Sequence, residues 1–172
     1  IHDDGLQHYQ LNRNYEFIIT KYKSSSDKLL LPCGPLREPK FFHPNATFVF
    51  SNYHGEMYPG FYTKLSQIRS PYDSQVYLPN DSRFSKSYLL TAIADDTSLK
   101  EELRGYHADI TCSSFIDHHQ FILSDIPDTA EPILVTEKDF TKLKEFKVKN
   151  IYILEQSLVP NDKLTKIIEN FR

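Results

Sequence analysis

The sequence predicts an α/β fold with a largely parallel sheet flanked by helices. In its second half, short apolar segments alternate with segments whose apolar residues recur at helical spacing. Four short polar motifs each fall where an apolar segment ends, which is where open α/β sheets carry their functional loops. The length of 172 residues, with 40% hydrophobic and 25% charged residues, is ordinary for a folded domain.

The first half of the chain predicts two strands and a poorly patterned region. Residues 15–20 and 46–50 read as short buried strands, because they are rich in β-branched and aromatic residues and are bounded by polar turns. Residues 52–86 mix Tyr, Pro, Ser and Asn without a helical period, so we expect an irregular linker or hinge, with one short strand at 75–78. The sequence thus divides into segments 1–51, 52–86 and 87–172.

The last segment predicts alternating strands and helices. We expect strands at 88–94, 109–116, 132–136 and 150–154. Ser98 with Glu101 resembles a capping box that opens a helix, and a second helix is expected over 138–146. Asn161 is expected to cap a final helix, whose buried stripe would contain Leu164, Ile167, Ile168 and Phe171.

Composition narrows the class of protein. A formal net charge of −3 argues against a nucleic-acid-binding surface. The two cysteines, Cys33 and Cys112, are far apart and form no CxxC motif, which is typical of a reduced, cytoplasmic protein with free thiols. No apolar run approaches the length of a membrane span. Because the chain begins at Ile1 and its single methionine is Met57, we expect it to be the back part of a longer protein.

The first two polar motifs carry groups suited to metal and phosphate. Asp3 and Asp4 offer two hard oxygen donors for a divalent cation, although one can instead cap a turn while the other is solvated. Arg37 and Glu38 lie in a loop stiffened by prolines on both sides, residues 34–39. Arginine can bind phosphate in a bidentate manner and glutamate can ligate a metal, whereas the alternative is a surface salt bridge.

The other two motifs suit proton transfer and charge compensation. Asp117 and His118 can form an acid–base or orienting pair, the Asp-His-His triplet can ligate a transition metal, or His119 can simply be packed. In residues 136–139 (TEKD), Lys138 can serve catalysis or phosphate binding. Alternatively, Thr136 and Asp139 form a capping box at a helix start.

Taken in order, the four motifs resemble the tetraacyldisaccharide 4′-kinase family, the lipid A 4′-kinases of Gram-negative bacteria. That family carries a DDGFQ motif, matched by residues 3–7 with Leu6 in place of Phe, and an LPAGPLREP motif, matched by residues 31–39 with Cys33 in place of Ala. Its F-x-DHH and TEKD motifs match residues 115–119 and 136–139. The resemblance spans most of the chain and is weakest over 52–86.

The resemblance implies a P-loop-NTPase-like kinase. It would transfer the γ-phosphoryl of ATP, with Mg²⁺, to the 4′-hydroxyl of a tetraacyldisaccharide 1-phosphate, as a peripheral protein at the cytoplasmic face of the inner membrane. Residues 1–51 would be the remainder of the nucleotide-binding core, and 87–172 a smaller α/β portion. The implied roles are as follows: metal binding by Asp3, Asp4 and Glu38; nucleotide binding by Arg37, Glu38 and Lys138; catalysis by His118 with Asp117 and Asp4.

Two alternatives remain open from the sequence. The DHH phosphoesterases are metal-dependent hydrolases that share the triplet, although they do not account for the GPLREP and TEKD motifs. The chain can also be a split or decayed kinase fragment that only binds a partner. In the family, the Walker A loop, the proposed aspartate base and the membrane-contacting segment precede the position of Ile1. We therefore expect these 172 residues alone to be unable to turn over ATP.

Overall fold

The structure, a computed structural model, describes residues 10, 12–21, 30, 33, 43–94, 96–107 and 109–171. The chain forms two compact units, one comprising Ile1–Tyr62 with Leu158–Arg172 and the other Thr63–Ser157. Two ten-residue strands contribute residues to both units. The predicted division of the chain at residues 51 and 86 stays a prediction.

The described residues of the first unit form parallel strands and a helix near the carboxyl terminus. Its elements are β1 (Phe17–Lys21), β2 (Thr47–Ser51), the start of β3 (Gly60–Arg69), the end of β8 (Ile151–Pro160) and α3 (Asp162–Glu169). Strand β1 is parallel to β2, and β2 is parallel to the start of β3. The expected strands in this half are thus confirmed within two residues.

Asn161 organises the start of helix α3. Its Oδ1 accepts the Leu164 N–H at 3.0 Å, which confirms it as the N-cap, and also accepts the Gly60 N–H at 3.1 Å. Its Nδ2 donates to the carbonyls of Gly55 and Tyr58 at 2.7 and 2.8 Å. One buried side chain therefore joins the helix start to the 55–60 loop.

The second unit is a mostly parallel sheet with helices between its strands. It contains the rest of β3 and β8, β4 (Val76–Tyr77), β5 (Lys86–Thr91), α1 (Thr97–Tyr106), β6 (Asp109–Ser114), β7 (Ile133–Thr136) and α2 (Glu137–Leu143), which continues as a 3₁₀ turn over Lys144–Phe146. The strand order is β3-β8-β7-β5-β6. Neighbours from β8 to β6 are parallel, and β4 pairs antiparallel with β3. The predicted α/β class with a largely parallel sheet is confirmed.

Both faces of this sheet are buried, which explains its continuous apolar strands. Leu89 of β5 packs in one hydrophobic cluster with Leu99 and Leu103 of α1. The next residue, Leu90, points to the opposite face and packs in a second cluster with Leu143 of α2. Each helix covers one face, and the loops that follow the strands emerge at the edges of the sheet.

Three local expectations are wrong. Residues 60–69 form a ten-residue strand rather than an irregular linker. Leu65 and Ile68, its two most buried apolar side chains, are three residues apart, so the period-two pattern that marks a half-buried strand is missing. Helix α1 begins at Thr97 with Asp96 as its N-cap, so Ser98 lies within the first turn and opens no capping box. Ile168 and Phe171 of the final stripe are exposed.

The structure also describes the state of both cysteines and the length of the helices. Cys33 and Cys112 are both free thiols. Among the helices that the structure describes, none combines the length and apolarity needed to cross a bilayer.

Candidate functional site

The candidate site lies where strands β5, β6 and β7 end. These strands are parallel, with β5 between the other two, so their carboxyl ends share one edge of the sheet. The Asp-His-His loop follows β6 and the TEKD motif spans the junction of β7 and α2. The fold therefore places two of the predicted motifs at the edge where open α/β sheets bind ligands.

Asp117 is the centre of a charged cluster at this edge. Its Oδ1 accepts a hydrogen bond from Lys138 Nζ at 2.9 Å and another from the His118 backbone N–H at 3.0 Å. The His118 Nε2 lies 3.5 Å from Asp117 Oδ2. The hydrogen bond from Lys138 is the main cause that lowers the pKa of Asp117, with further lowering from the His118 N–H. Asp117 is thus held as a carboxylate beside an imidazole and an ammonium group.

His118 presents its imidazole to solvent from an unusual backbone conformation. Its side chain is 80% exposed, so nothing in the described structure prevents a ligand from approaching it. Its φ is 63°, in the left-handed region, which costs a residue with a Cβ about 1–2 kcal/mol. Neighbouring contacts must maintain this conformation, and backbone strain of this kind is concentrated at functional sites.

The TEKD motif combines a helix cap with an exposed lysine. Thr136 Oγ1 accepts the Asp139 N–H at 3.2 Å, so Thr136 is the N-cap, as the capping interpretation predicts. Lys138 lies in the first turn of α2, and its side chain is half-exposed while bonded to Asp117. The structure thus confirms the threonine cap, and it brings Lys138 to the Asp-His-His loop, where its role in catalysis or phosphate binding stays a prediction.

Asp139 has a role that the sequence did not predict. Its carboxylate is fully buried and accepts hydrogen bonds from the hydroxyls of Thr136 and Thr91, at 2.7 and 3.0 Å, and from the Ala92 N–H at 3.2 Å. Two of these donors belong to the end of β5 and the residue after it. Asp139 thus ties the carboxyl end of β5 to the first turn of α2, directly beside Lys138.

A second charged group lies where α1 begins. Asp96 accepts hydrogen bonds from Ser114 Oγ at 2.5 Å and from Lys100 Nζ at 2.8 Å. Burial acts to raise the pKa of Asp96, but the hydrogen bonds from Lys100 and Ser114 outweigh it and the pKa is lowered. Asp96 thus links Ser114, at the end of β6, to α1, the helix that follows β5.

The remaining predicted site residues lie elsewhere in the chain. Asp3, Asp4, Arg37 and Glu38 fall outside the residues that the structure describes, so their predicted roles in metal and nucleotide binding stay predictions. Within the described ranges, no group of three or more His, Cys, Asp or Glu side chains is arranged to hold a metal ion. The transition-metal interpretation of the Asp-His-His triplet therefore has no support from the described side chains.

Sequence reasoning missed further residues around the site. Asp125 bonds His119, and Lys142 bonds the His119 carbonyl. Arg69 of β3 bonds Glu137, the first residue of α2, at 3.0 Å and also bonds Glu155 of β8. These contacts join residues far apart in the chain or within turns of no recognisable motif, so no sequence signal marks them.

Comparison with known proteins supports the resemblance drawn from the motifs. The sequence model of the LpxK family, described as tetraacyldisaccharide-1-P 4′-kinase, matches residues 1–171. Tetraacyldisaccharide 4′-kinase of Legionella pneumophila (strain Corby) is 30% identical over 170 residues, covering 94% of this chain and 50% of that protein. The protein of the same name from Colwellia psychrerythraea is 32% identical over 170 residues, covering 90% of this chain and 49% of that protein.

A solved structure supports the fold. The crystal structure of "apo" form LpxK from Aquifex aeolicus in complex with ATP superposes with a TM-score of 0.68 at 24% identity, covering 98% of this chain and 56% of that one. The chain spans about half the length of the curated relatives it matches. None of these comparisons supports the phosphoesterase alternative. Because the family model matches nearly every residue, the chain belongs to the tetraacyldisaccharide-1-P 4′-kinase family.

Proposed function

We propose that this chain supplies part of a lipid A 4′-kinase, which transfers the γ-phosphoryl of ATP to the 4′-hydroxyl of a tetraacyldisaccharide 1-phosphate. The observation that carries the proposal is the cluster of Asp117, His118 and Lys138 at the carboxyl edge of a parallel sheet, in a chain of this family. Phosphoryl transfer requires mainly positioning and charge compensation, and this cluster offers both.

The geometry suggests how each group acts. The exposed His118 imidazole accepts or shares the proton of the sugar hydroxyl while the hydroxyl oxygen attacks the γ-phosphorus and the bond to the leaving ADP oxygen breaks. The carboxylate of Asp117 stabilises the positive charge that develops on the imidazole 3.5 Å away. The family pattern that the motifs resemble implies that an aspartate would share the role of base with His118. We propose that the half-exposed ammonium group of Lys138, beside Asp117, offsets negative charge on the phosphates.

The nucleotide and metal belong to the motifs outside the described residues. We propose that Asp3, Asp4 and Glu38 hold Mg²⁺ and that Arg37 contacts the phosphates, since carboxylate oxygens suit this cation and arginine suits phosphate. When bound, the cation would neutralise charge on the transferring phosphoryl group. The proposed location is the cytoplasmic face of the bacterial inner membrane, where a tetraacylated substrate would reside.

Complementation tests the proposal. The complete gene product should restore growth to cells depleted of their own 4′-kinase, and His118→Ala should abolish rescue. His54→Ala provides a matched control, because this histidine is also exposed, its ring stacks on Tyr62, and it belongs to none of the four motifs. These 172 residues alone should show no ATP turnover. Failure of the complete product to rescue, at normal expression, would contradict the kinase assignment and leave the partner-binding fragment as the better explanation.

A further inference from the structure

The second histidine of the Asp-His-His triplet is held in a different way from the first. His118 is 80% exposed, whereas the His119 side chain is 27% exposed and lies among aromatic rings. The His119 ring stacks on Phe115, with centroids 4.4 Å apart and planes at 18°, and meets Phe121 edge-to-face at 5.3 Å. The adjacent histidines thus face different surroundings, and His118 is much the more exposed of the two.

The ring nitrogen of His119 is engaged by a carboxylate. His119 Nε2 lies 2.8 Å from Asp125 Oδ2, and the same oxygen accepts the Ile122 N–H at 2.9 Å. The hydrogen bond from His119 is the main cause that lowers the pKa of Asp125. The bond to Asp125 and the stack on Phe115 together fix the orientation of the His119 ring within the loop.

The His119 backbone is also fixed on both sides. Its N–H donates to the Ile116 carbonyl at 3.1 Å, which closes a turn around Asp117 and His118. Its carbonyl accepts a hydrogen bond from Lys142 Nζ of α2 at 3.0 Å. Anchored at its ring, its N–H and its carbonyl, His119 fixes the carboxyl-terminal side of His118, whose φ of 63° needs such support.

We propose that His119, held by Asp125, is a positioning residue that maintains the left-handed backbone of His118 and thereby aims the His118 imidazole at the reacting hydroxyl. The part of the inference that names the reacting hydroxyl rests on the proposed function. The contacts that hold His119, which we call the clamp, do not rest on it, because they lie within residues 115–125 and one lysine of α2.

Matched substitutions separate positioning from folding. His119→Phe keeps an aromatic ring against Phe115 but loses the hydrogen bond to Asp125, whereas His119→Gln keeps a donor that can reach Asp125. Asp125→Ala removes the same bond from the other partner. His54→Phe makes an identical replacement at a histidine that stacks on Tyr62 with centroids 4.2 Å apart.

Three measurements on the complete gene product decide the proposal: amide hydrogen exchange of residues 116–119, kcat and KM for ATP, and the thermal midpoint. We expect His119→Phe and Asp125→Ala to accelerate exchange in this loop by about tenfold or more. The same variants should lower kcat by about tenfold to a hundredfold, with KM for ATP nearly unchanged. His119→Gln should restore most of both quantities, and His54→Phe should change neither.

Other outcomes overturn the proposal in distinguishable ways. Unchanged loop exchange in His119→Phe and Asp125→Ala would show that there is no clamp. Faster exchange with normal kcat, while His118→Ala is inactive, would show that the clamp does not aim His118, and the proposed function would stand. Normal activity in His118→Ala would remove both the aiming role and the proposed role of His118. If kcat and the thermal midpoint fell together, and to the same extent in His119→Phe and His119→Gln, His119 would contribute to stability alone and would not position His118.

Discussion

Replacing Asp139 by alanine should destabilise the protein strongly, because the carboxylate is fully buried and serves three donors. The hydroxyls of Thr91 and Thr136 can rotate towards other acceptors, but the Ala92 N–H is fixed by the backbone. Leaving that buried donor unpaired costs about 1–3 kcal/mol, and each lost hydrogen bond to a charged group adds about 1.5–3 kcal/mol before relaxation. Allowing for the rotating hydroxyls, we expect a loss of about 3–5 kcal/mol in the free energy of unfolding.

Asn at position 139 provides the critical comparison. It has nearly the same shape and keeps one carbonyl oxygen for the Ala92 N–H, while its amide can donate to a threonine hydroxyl. We therefore expect Asp139→Asn to cost about 1–2 kcal/mol, well below the alanine variant. Urea unfolding at neutral pH, followed by circular dichroism, measures both, with the exposed Asp128→Ala as a control expected to stay within about 0.5 kcal/mol. An alanine variant no less stable than this control would refute the assignment of Asp139 as the tie between β5 and α2.

Two further predictions concern buried polar side chains. Burial is the main cause that lowers the pKa of His107, so the unfolded chain takes up a proton more readily than the native one. The free energy of unfolding should therefore fall as the pH drops below about 6.5. His107→Leu should show a smaller fall, as urea midpoints across pH would measure. A His107→Leu variant with the same acid sensitivity as wild type would contradict this. Asn161→Ala removes the α3 cap and the four hydrogen bonds of the Asn161 side chain, so we expect the free energy of unfolding, measured in urea, to fall by about 2–4 kcal/mol. Asn161→Ser keeps a capping oxygen and should recover part of this loss. Equal losses in the two variants would show that the cap contributes nothing.

The elements predictable from sequence are those whose burial leaves a strong pattern. Strands β5, β6 and β7 are short, and β5 and β7 are strongly apolar, so each could be located within three residues. Strand β8 was expected to end at residue 154 but continues to Pro160. Its extension begins Glu155-Gln156-Ser157, which reads as a loop in isolation. Pairing along β3 stabilises it, for Ser66 Oγ donates to the Glu155 carbonyl at 2.8 Å and Arg69 bonds the Glu155 side chain.

The candidate site shows a similar division between motif and geometry. The residue types of the Asp-His-His and TEKD motifs indicated which side chains could do chemistry, but not that Lys138 would bond Asp117. That contact joins the loop after β6 to the first turn of α2, the helix that follows β7. Because β5 separates β6 from β7 in the sheet, the contact depends on a strand order that the sequence does not state. Asp125 was not predictable for another reason: it lies in a 3₁₀ turn outside any recognised motif.

Three of the hydrogen bonds that shape the Asp-His-His loop span very short stretches of chain. Asp117 bonds the N–H of the next residue, Asp125 bonds an N–H three residues before it, and His119 reaches Asp125 across six residues. Closing such small rings sacrifices little chain entropy. The loop can therefore be preorganised once its sheet has formed, and little of a ligand's binding energy needs to be diverted into ordering it.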